Sequence, residues 1–212
     1  MIDFSAMIDG YRRFRSSGWA AQRSRWAELA EGQSPQVMII SCSDSRVDPA
    51  TIFDTSPGEA FVVRNVANLV PPFERDGARH GVSAALEFAV TQLEVSEIVV
   101  MGHGGCGGCR AALHQSFEGA EPGEGGFIAR WISMLDEARA DVAARFADLH
   151  SPEAHREMEL AAVRVSLHNL RSFKCIRERE ADGRLQLHGA FFAIDDGVLQ
   201  VMDEATGAFM PA

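Results

Sequence analysis

Apolar runs of strand length alternate with longer stretches of helical spacing through most of the chain. Val37-Met38-Ile39-Ile40 lies in a strand expected over 36–41, and Ala60-Phe61-Val62-Val63 in a second over 59–64. Ile98-Val99-Val100-Met101 marks a third over 97–101. Between the second and third, Val82, Ala85, Leu86, Ala89, Val90 and Leu93 keep the period of a helix beginning near His80. A short helix is expected over 49–54, another over 106–117, and two more over 127–149 and 153–173. Ser151 caps the last of these, with Pro152 in its first turn. The end returns to strands: 185–194 and 198–202 flank Asp195-Asp196-Gly197, a hairpin signature. Residues 65–72 and the acidic, glycine-rich 118–126 read as loops. Residues 1–30 form an amphipathic helical arm in which Met7, Tyr11, Phe14 and Trp19 sit among arginines. The class is therefore α/β: a mostly parallel central sheet flanked by helices, with a C-terminal antiparallel strand addition and an N-terminal helical arm. One domain is expected over 1–212, with the arm at 1–30 and the α/β core at 36–203.

Composition narrows the partners. A chain of 212 residues with 46% hydrophobic content can bury one sizeable core. A net charge of -10 argues against nucleic acid and anionic membrane surfaces. No apolar stretch reaches the length of a membrane span and no export signal is visible, so a cytoplasmic location is expected. Four cysteines in a chain this long suit metal ligation or buried thiols better than a disulfide scaffold.

Two stretches then carry the chemistry. Cys42-Ser43-Asp44-Ser45-Arg46 follows the first strand, and His103-Gly104-Gly105-Cys106 follows the third. In an open parallel sheet the carboxyl ends of the strands share one edge, where ligands bind. Cys42, His103 and Cys106 meeting there make a soft, three-ligand set that suits zinc and leaves a fourth position open, as in a catalytic site. Such a site points to a hydrolase or lyase whose reagent is metal-bound hydroxide. Asp44, two residues from a thiolate ligand, can approach that fourth position while Arg46 holds it in a bidentate pair.

The two stretches together resemble the signatures of the β-class carbonic anhydrases. The likeness extends through Pro57-Gly58-Glu59-Ala60-Phe61, Arg64-Asn65-Val66-Ala67-Asn68 and Leu187-His188-Gly189. It implies one zinc per chain on Cys42, His103 and Cys106, with Asp44 and Arg46 as a catalytic dyad. It also implies reversible hydration of carbon dioxide to bicarbonate. Gln33 matches the family's substrate-side amide, Phe61 and Val66 match apolar residues lining the cleft from a partner subunit, and Gly107 offers a backbone amide to substrate. A homodimer or homotetramer is implied, with the arm reaching across.

Some positions depart from the family. Cys109 stands where an apolar helix residue is usual and is expected to point into the core. Cys175 is read as structural or surface. Ile39 replaces the Trp of the bacterial inhibitory bicarbonate pocket and Ser41 the Gly, so that pocket is not expected. Phe88 stands where Tyr is common. His80, His114 and His168 are expected at the surface, with a proton-carrying role open to each. Two rivals remain: hydrolysis of carbon disulfide or carbonyl sulfide on the same zinc site, and a non-catalytic zinc or redox protein using Cys106 and Cys109.

Overall fold

The computed structural model describes residues 2–76 and 79–212, which fall into two compact units, the first ending at Ser34 and the second running from Pro35 to Ala212. The first unit is helical. α1 (Phe4–Phe14) starts on Asp3, whose carboxylate accepts the Ala6 N–H at 2.8 Å. A wider π-helical turn, Arg15–Trp19, leads to α2 (Arg23–Glu31), and Phe14 meets Trp26 edge to face at 5.8 Å. Met1 of the expected arm lies outside the described residues.

The second unit is built on six strands: β1 (Val37–Cys42), β2 (Ala60–Asn65), β3 (Glu97–His103), β4 (Gln186–Phe192), β5 (Leu199–Met202) and β6 (Phe209–Pro211). They lie in the order β2-β1-β3-β4-β5-β6, the first four parallel and the last two antiparallel. The hairpin read at 198–202 is present, pairing Phe191 with Gln200 and Phe192 with Leu199. β6 was not expected. It is three residues long and mostly exposed, too short for a hydrophobic alternation to register, and it carries the sheet past the expected core boundary at 203.

Helices cover the sheet: α3 (Pro49–Ile52), α4 (Gly81–Thr91), α5 (Gly107–Leu113), α6 (Gly126–Ile132), α7 (Asp136–Arg145), α8 (Pro152–Leu170) and α9 (Lys174–Ala181). Ser151 Oγ accepts from the Ala154 N–H at 3.2 Å and starts α8 as expected. The single helix expected over 127–149 is instead α6 and α7 joined by a 3₁₀ turn, Ser133–Leu135. α5 stops four residues early, because His114 leaves the helix and Gln115 turns left-handed at φ 51°. α9 leaves no periodic signal in the sequence, since Ile176 is its one fully buried side chain and most of the others are charged. Among the described residues no helix is long and apolar enough to cross a membrane.

Two clusters form the core. Met38, Ile40, Leu86, Val90, Ile98 and Val100 pack with Val163 and Leu167 of α8. Cys42, Val47, Leu69, Cys106, Leu113 and Met158 form the other, at the carboxyl edge of the strands. α8 comes close to β3 because Gly102 has no side chain: a Cβ there would lie 2.7 Å from Val163 Cγ2, itself fully buried. Gly102→Ala is therefore expected to destabilise the fold by about 1–3 kcal/mol through overpacking. A urea titration checks this; a midpoint equal to that of the parent would count against it.

Candidate active site

The chain leaves β1 toward β2 on one side and, later, toward β3 on the other, so the sheet reverses direction between β1 and β3. Ligands bind at such a reversal, at the carboxyl ends of the strands. Cys42 ends β1 and His103 ends β3. The pairing of Ser41 with Met101 puts these two ends side by side.

The loop after β1 is held from β2. Ser43 N–H donates to Asn65 O at 2.8 Å. Arg64 then donates from Nε to Cys42 O at 2.9 Å, and from Nη2 to Asp44 O at 2.7 Å and Val47 O at 3.1 Å. One guanidinium thus fixes three carbonyls of the loop that carries the candidate residues. The turn after β3 uses Gly105 at φ 67°, a left-handed position that suits glycine. Cys106 follows as the N-cap of α5, and its N–H donates to Glu159 Oε1 at 3.0 Å. Glu159 is only 6% exposed. Neither Arg64 nor Glu159 was read from sequence as a site residue. The fork of Arg64 depends on strand register, and Glu159 lies more than fifty residues from the loop it supports.

The three expected ligands come together. The ligand atoms of Cys42, His103 and Cys106 all lie within 4.8 Å of one another, and the two Sγ atoms are 4.0 Å apart. His103 Nδ1 donates to Gly104 O at 3.0 Å, which leaves the Nε2 lone pair facing the thiols. That Nε2 is buried and has no hydrogen-bond partner among the described residues. A buried nitrogen in this condition is rare unless something else occupies its lone pair. The neighbouring Cys106 thiol, and then burial, push Cys42 up to about 12. Cys106 is likewise held far above the ordinary thiol range, first by Cys109. Two adjacent buried thiols resist ionisation until a cation neutralises them. Orphaned imidazole, paired sulfurs and geometry together fit a divalent metal of the zinc type.

Asp44 borders this triad. Its Oδ1 accepts from Arg46 N–H at 3.0 Å and Nε at 2.9 Å, its Oδ2 accepts from Nη2 at 2.7 Å, and Oδ2 lies 4.0 Å from His103 Nε2. The Arg46 guanidinium holds the carboxyl well below the usual carboxylate range, so it is ionised and acceptor-only. Arg46 Nη2 also donates to Gly105 O at 3.0 Å and so ties the two loops together.

The other expected residues divide. Gly107 opens α5, exposed, with no atom within 4 Å of where a Cβ would stand. Val66 is exposed beside α5, and its Cγ1 would lie 2.7 Å from a Cβ at Gly108. Phe61 pairs in register with Met38, four positions before Cys42, and its ring sits 6.0 Å from that of Phe88. At about 3.3 Å per residue that is on the order of 13 Å along the strand, so Phe61 does not line the triad of its own chain. Gln33 belongs to the first unit and is exposed. Cys109 is buried in the core cluster at the strand edge, yet its thiol also reaches that of Cys106. Among the described residues it does not join the clustered ligand atoms. Cys175 is half-buried against the other cluster.

His80 pairs with Asp76 at 2.6 Å and His168 is exposed, but His114 is not a solitary surface group. Its Nε2 meets His155 Nε2 at 2.9 Å and its ring stacks on His150 at 4.4 Å, neighbours that sequence spacing could not reveal.

Comparison with known proteins agrees with this geometry. Residues 37–199 match the family model described as carbonic anhydrase. The chain is 35% identical over 191 residues to beta carbonic anhydrase 6, mitochondrial, of Arabidopsis thaliana, covering 90% of this chain. It spans 64% of the length of that curated plant relative. The structure of the β-carbonic anhydrase CcaA superposes with a TM-score of 0.90 at 30% identity, covering 98% of this chain and 91% of that one. One of two tetrameric β-carbonic anhydrases from Sordaria macrospora gives 0.79 at 28% identity, with 98% of each chain covered.

Proposed function

The chain belongs to the β-carbonic anhydrase family, and on that premise we propose that it interconverts carbon dioxide and bicarbonate, with zinc held by Cys42, His103 and Cys106. The observation that carries the reading is the orphaned, buried Nε2 of His103, set between two thiols with an Arg46-held Asp44 Oδ2 at 4.0 Å. When bound there, zinc supplies a Lewis acid that lowers the pKa of a coordinated water to roughly 7.

The chain's own groups do the rest. Asp44 Oδ2, ionised and acceptor-only, takes a hydrogen bond from the reacting water and aims its free lone pair at the substrate carbon. Arg46 keeps that carboxylate turned toward itself, so that it orients the reagent instead of filling the open position. The Gly107 N–H, which the first turn of α5 leaves without an intrahelical acceptor, faces the same edge and can donate to a substrate oxygen. Phe61 and Val66 give an apolar wall to the cleft of a partner subunit, and Gln33 supplies the substrate-side amide. A homodimer or homotetramer is accordingly part of this reading. The tetrameric Sordaria relatives support it, as do Phe4, Met7 and Tyr11, which α1 leaves exposed.

Stopped-flow hydration of carbon dioxide by zinc-assayed protein, from neutral to alkaline pH, tests the proposal. The expected result is about one zinc per chain and a rate that rises with pH. Full zinc occupancy with no hydration at any pH would refute it. Carbonyl sulfide and carbon disulfide would be tried next, then Cys109 as a sulfur that closes the site.

A further inference from the structure

A cavity of about 620 Å³ adjoins the triad and has no part in the proposed reaction. Arg46, Gly105, Arg110, His155, Arg156 and Glu159 line it. Arg46 faces both places. Its Nε and Nη2 are engaged by Asp44 and the Gly105 carbonyl, whereas its Nη1 makes no hydrogen bond among the described residues. Arg110, on α5, makes neither a side-chain hydrogen bond nor an ion pair among the described residues. Arg156 is fixed in place, with Nη2 on Gln200 Oε1 at 2.6 Å and its guanidinium 3.4 Å from the centre of the Phe191 ring.

Acidic residues also line the cavity, but two of them are already engaged. Glu159 accepts from the backbone N–H groups of Cys106 and Gly105, and Asp196 Oδ1 accepts the Val198 N–H at 2.9 Å within its own turn. Burial, then Arg110, pushes His155 down, and burial with the nearby cations does the same to His114. That pair is therefore neutral at neutral pH and adds hydrogen-bonding capacity without charge. In a chain of net charge -10, two guanidinium groups with unused N–H donors in one concavity are matched by a multivalent oxyanion. The volume falls in the range of roughly 300–1,000 Å³ typical of small-molecule sites, so the oxyanion is a group on a larger molecule. Apart from His155 the lining has no aromatic ring on which a base could stack, and Asp195 and Asp196 offer acceptors, with Gln200 an amide donor, suited to hydroxyl groups.

We propose that this cavity is a second ligand site, for a hydroxylated phosphomonoester of the sugar phosphate class. Arg46 Nη1 and Arg110 grip the phosphate, while Gln200 and the Asp195–Asp196 turn receive the hydroxyls. Because Arg46 also clamps Asp44, the occupant bears directly on the catalytic pair.

The test is calorimetric titration of the zinc-loaded protein with glucose 6-phosphate and, separately, with inorganic phosphate, in parent and Arg110→Gln forms. One sugar phosphate is expected per chain, bound more tightly than inorganic phosphate. Arg110→Gln is expected to weaken it at least tenfold, with zinc content and phosphate-free melting temperature unchanged. Equal affinity in the two proteins would put the ion on the metal or elsewhere and overturn the site. Absence of binding heat with both probes would do the same, and inorganic phosphate binding as tightly as the sugar phosphate would overturn the ligand class. Binding is read without turnover, so its failure is distinguishable from failure of the hydration proposal.

Discussion

Asp44→Asn is expected to lower carbon dioxide hydration by about two to four orders of magnitude while leaving zinc content unchanged. The amide keeps the size of the carboxylate and one carbonyl acceptor, so the loop retains its Arg64 bonds to the carbonyls of Cys42, Asp44 and Val47. It loses the charge that makes Asp44 acceptor-only toward water and puts an N–H₂ donor in place of one of the two oxygens that accept from Arg46. The pH dependence sharpens the test. The folded-state pKa of Asp44 lies well below its unfolded value, chiefly because of the Arg46 guanidinium. The stabilisation this provides is fully present above the unfolded carboxylate range and is lost only as pH falls through the lower folded value. At 19% exposure, facing a half-exposed Arg46, solvent screening keeps that contribution modest. Asp44 therefore does not titrate between mildly acidic and alkaline pH, and the acid limb of the hydration profile belongs to the reacting water. A residual rate within tenfold of the parent would remove Asp44 from the reaction and leave it a partner of Arg46.

Much of this arrangement can be read from the chain alone, for an identifiable reason. Cys42 and His103 each follow an uninterrupted apolar run, and buried parallel strands write such runs plainly. Cys106 follows at a fixed short distance across glycines, so local sequence constrains where it points. The supports are of another kind. Arg64 acts by register, across from Ser41 in the sheet, and its fork reaches carbonyls whose identity no side-chain pattern discloses. His155 meets His114 only because α8 passes the end of α5. β6 and α9 were missed because one is short and exposed and the other buries a single side chain, so neither leaves a periodic signal.

Glu159 is where this hidden support has its largest expected effect. Glu159→Ala is expected to weaken zinc binding by about 10- to 100-fold, the range seen when a group that orients a metal ligand is removed. The N–H of Cys106, and with it the turn through Gly105, would lose a buried acceptor, and the Cys106 sulfur would no longer be held toward Cys42 and His103. Burial raises the pKa of Glu159, and its backbone donors only partly offset this. A carboxylate with a raised folded-state pKa favours folding below its unfolded value, and that advantage is lost as pH rises through the folded one. Ionising Glu159 in this buried place thus comes at some cost to the fold. Glu159→Gln keeps one acceptor oxygen and removes the charge, so its zinc-free form is expected to melt no lower than the parent, with a smaller loss of affinity than Glu159→Ala. Competition against a chromophoric chelator, with melting of the zinc-free proteins in parallel, reads both quantities. If Glu159→Ala lowered the zinc-free melting temperature and left zinc affinity untouched, Glu159 would be a packing residue of α8 with no hold on the metal site.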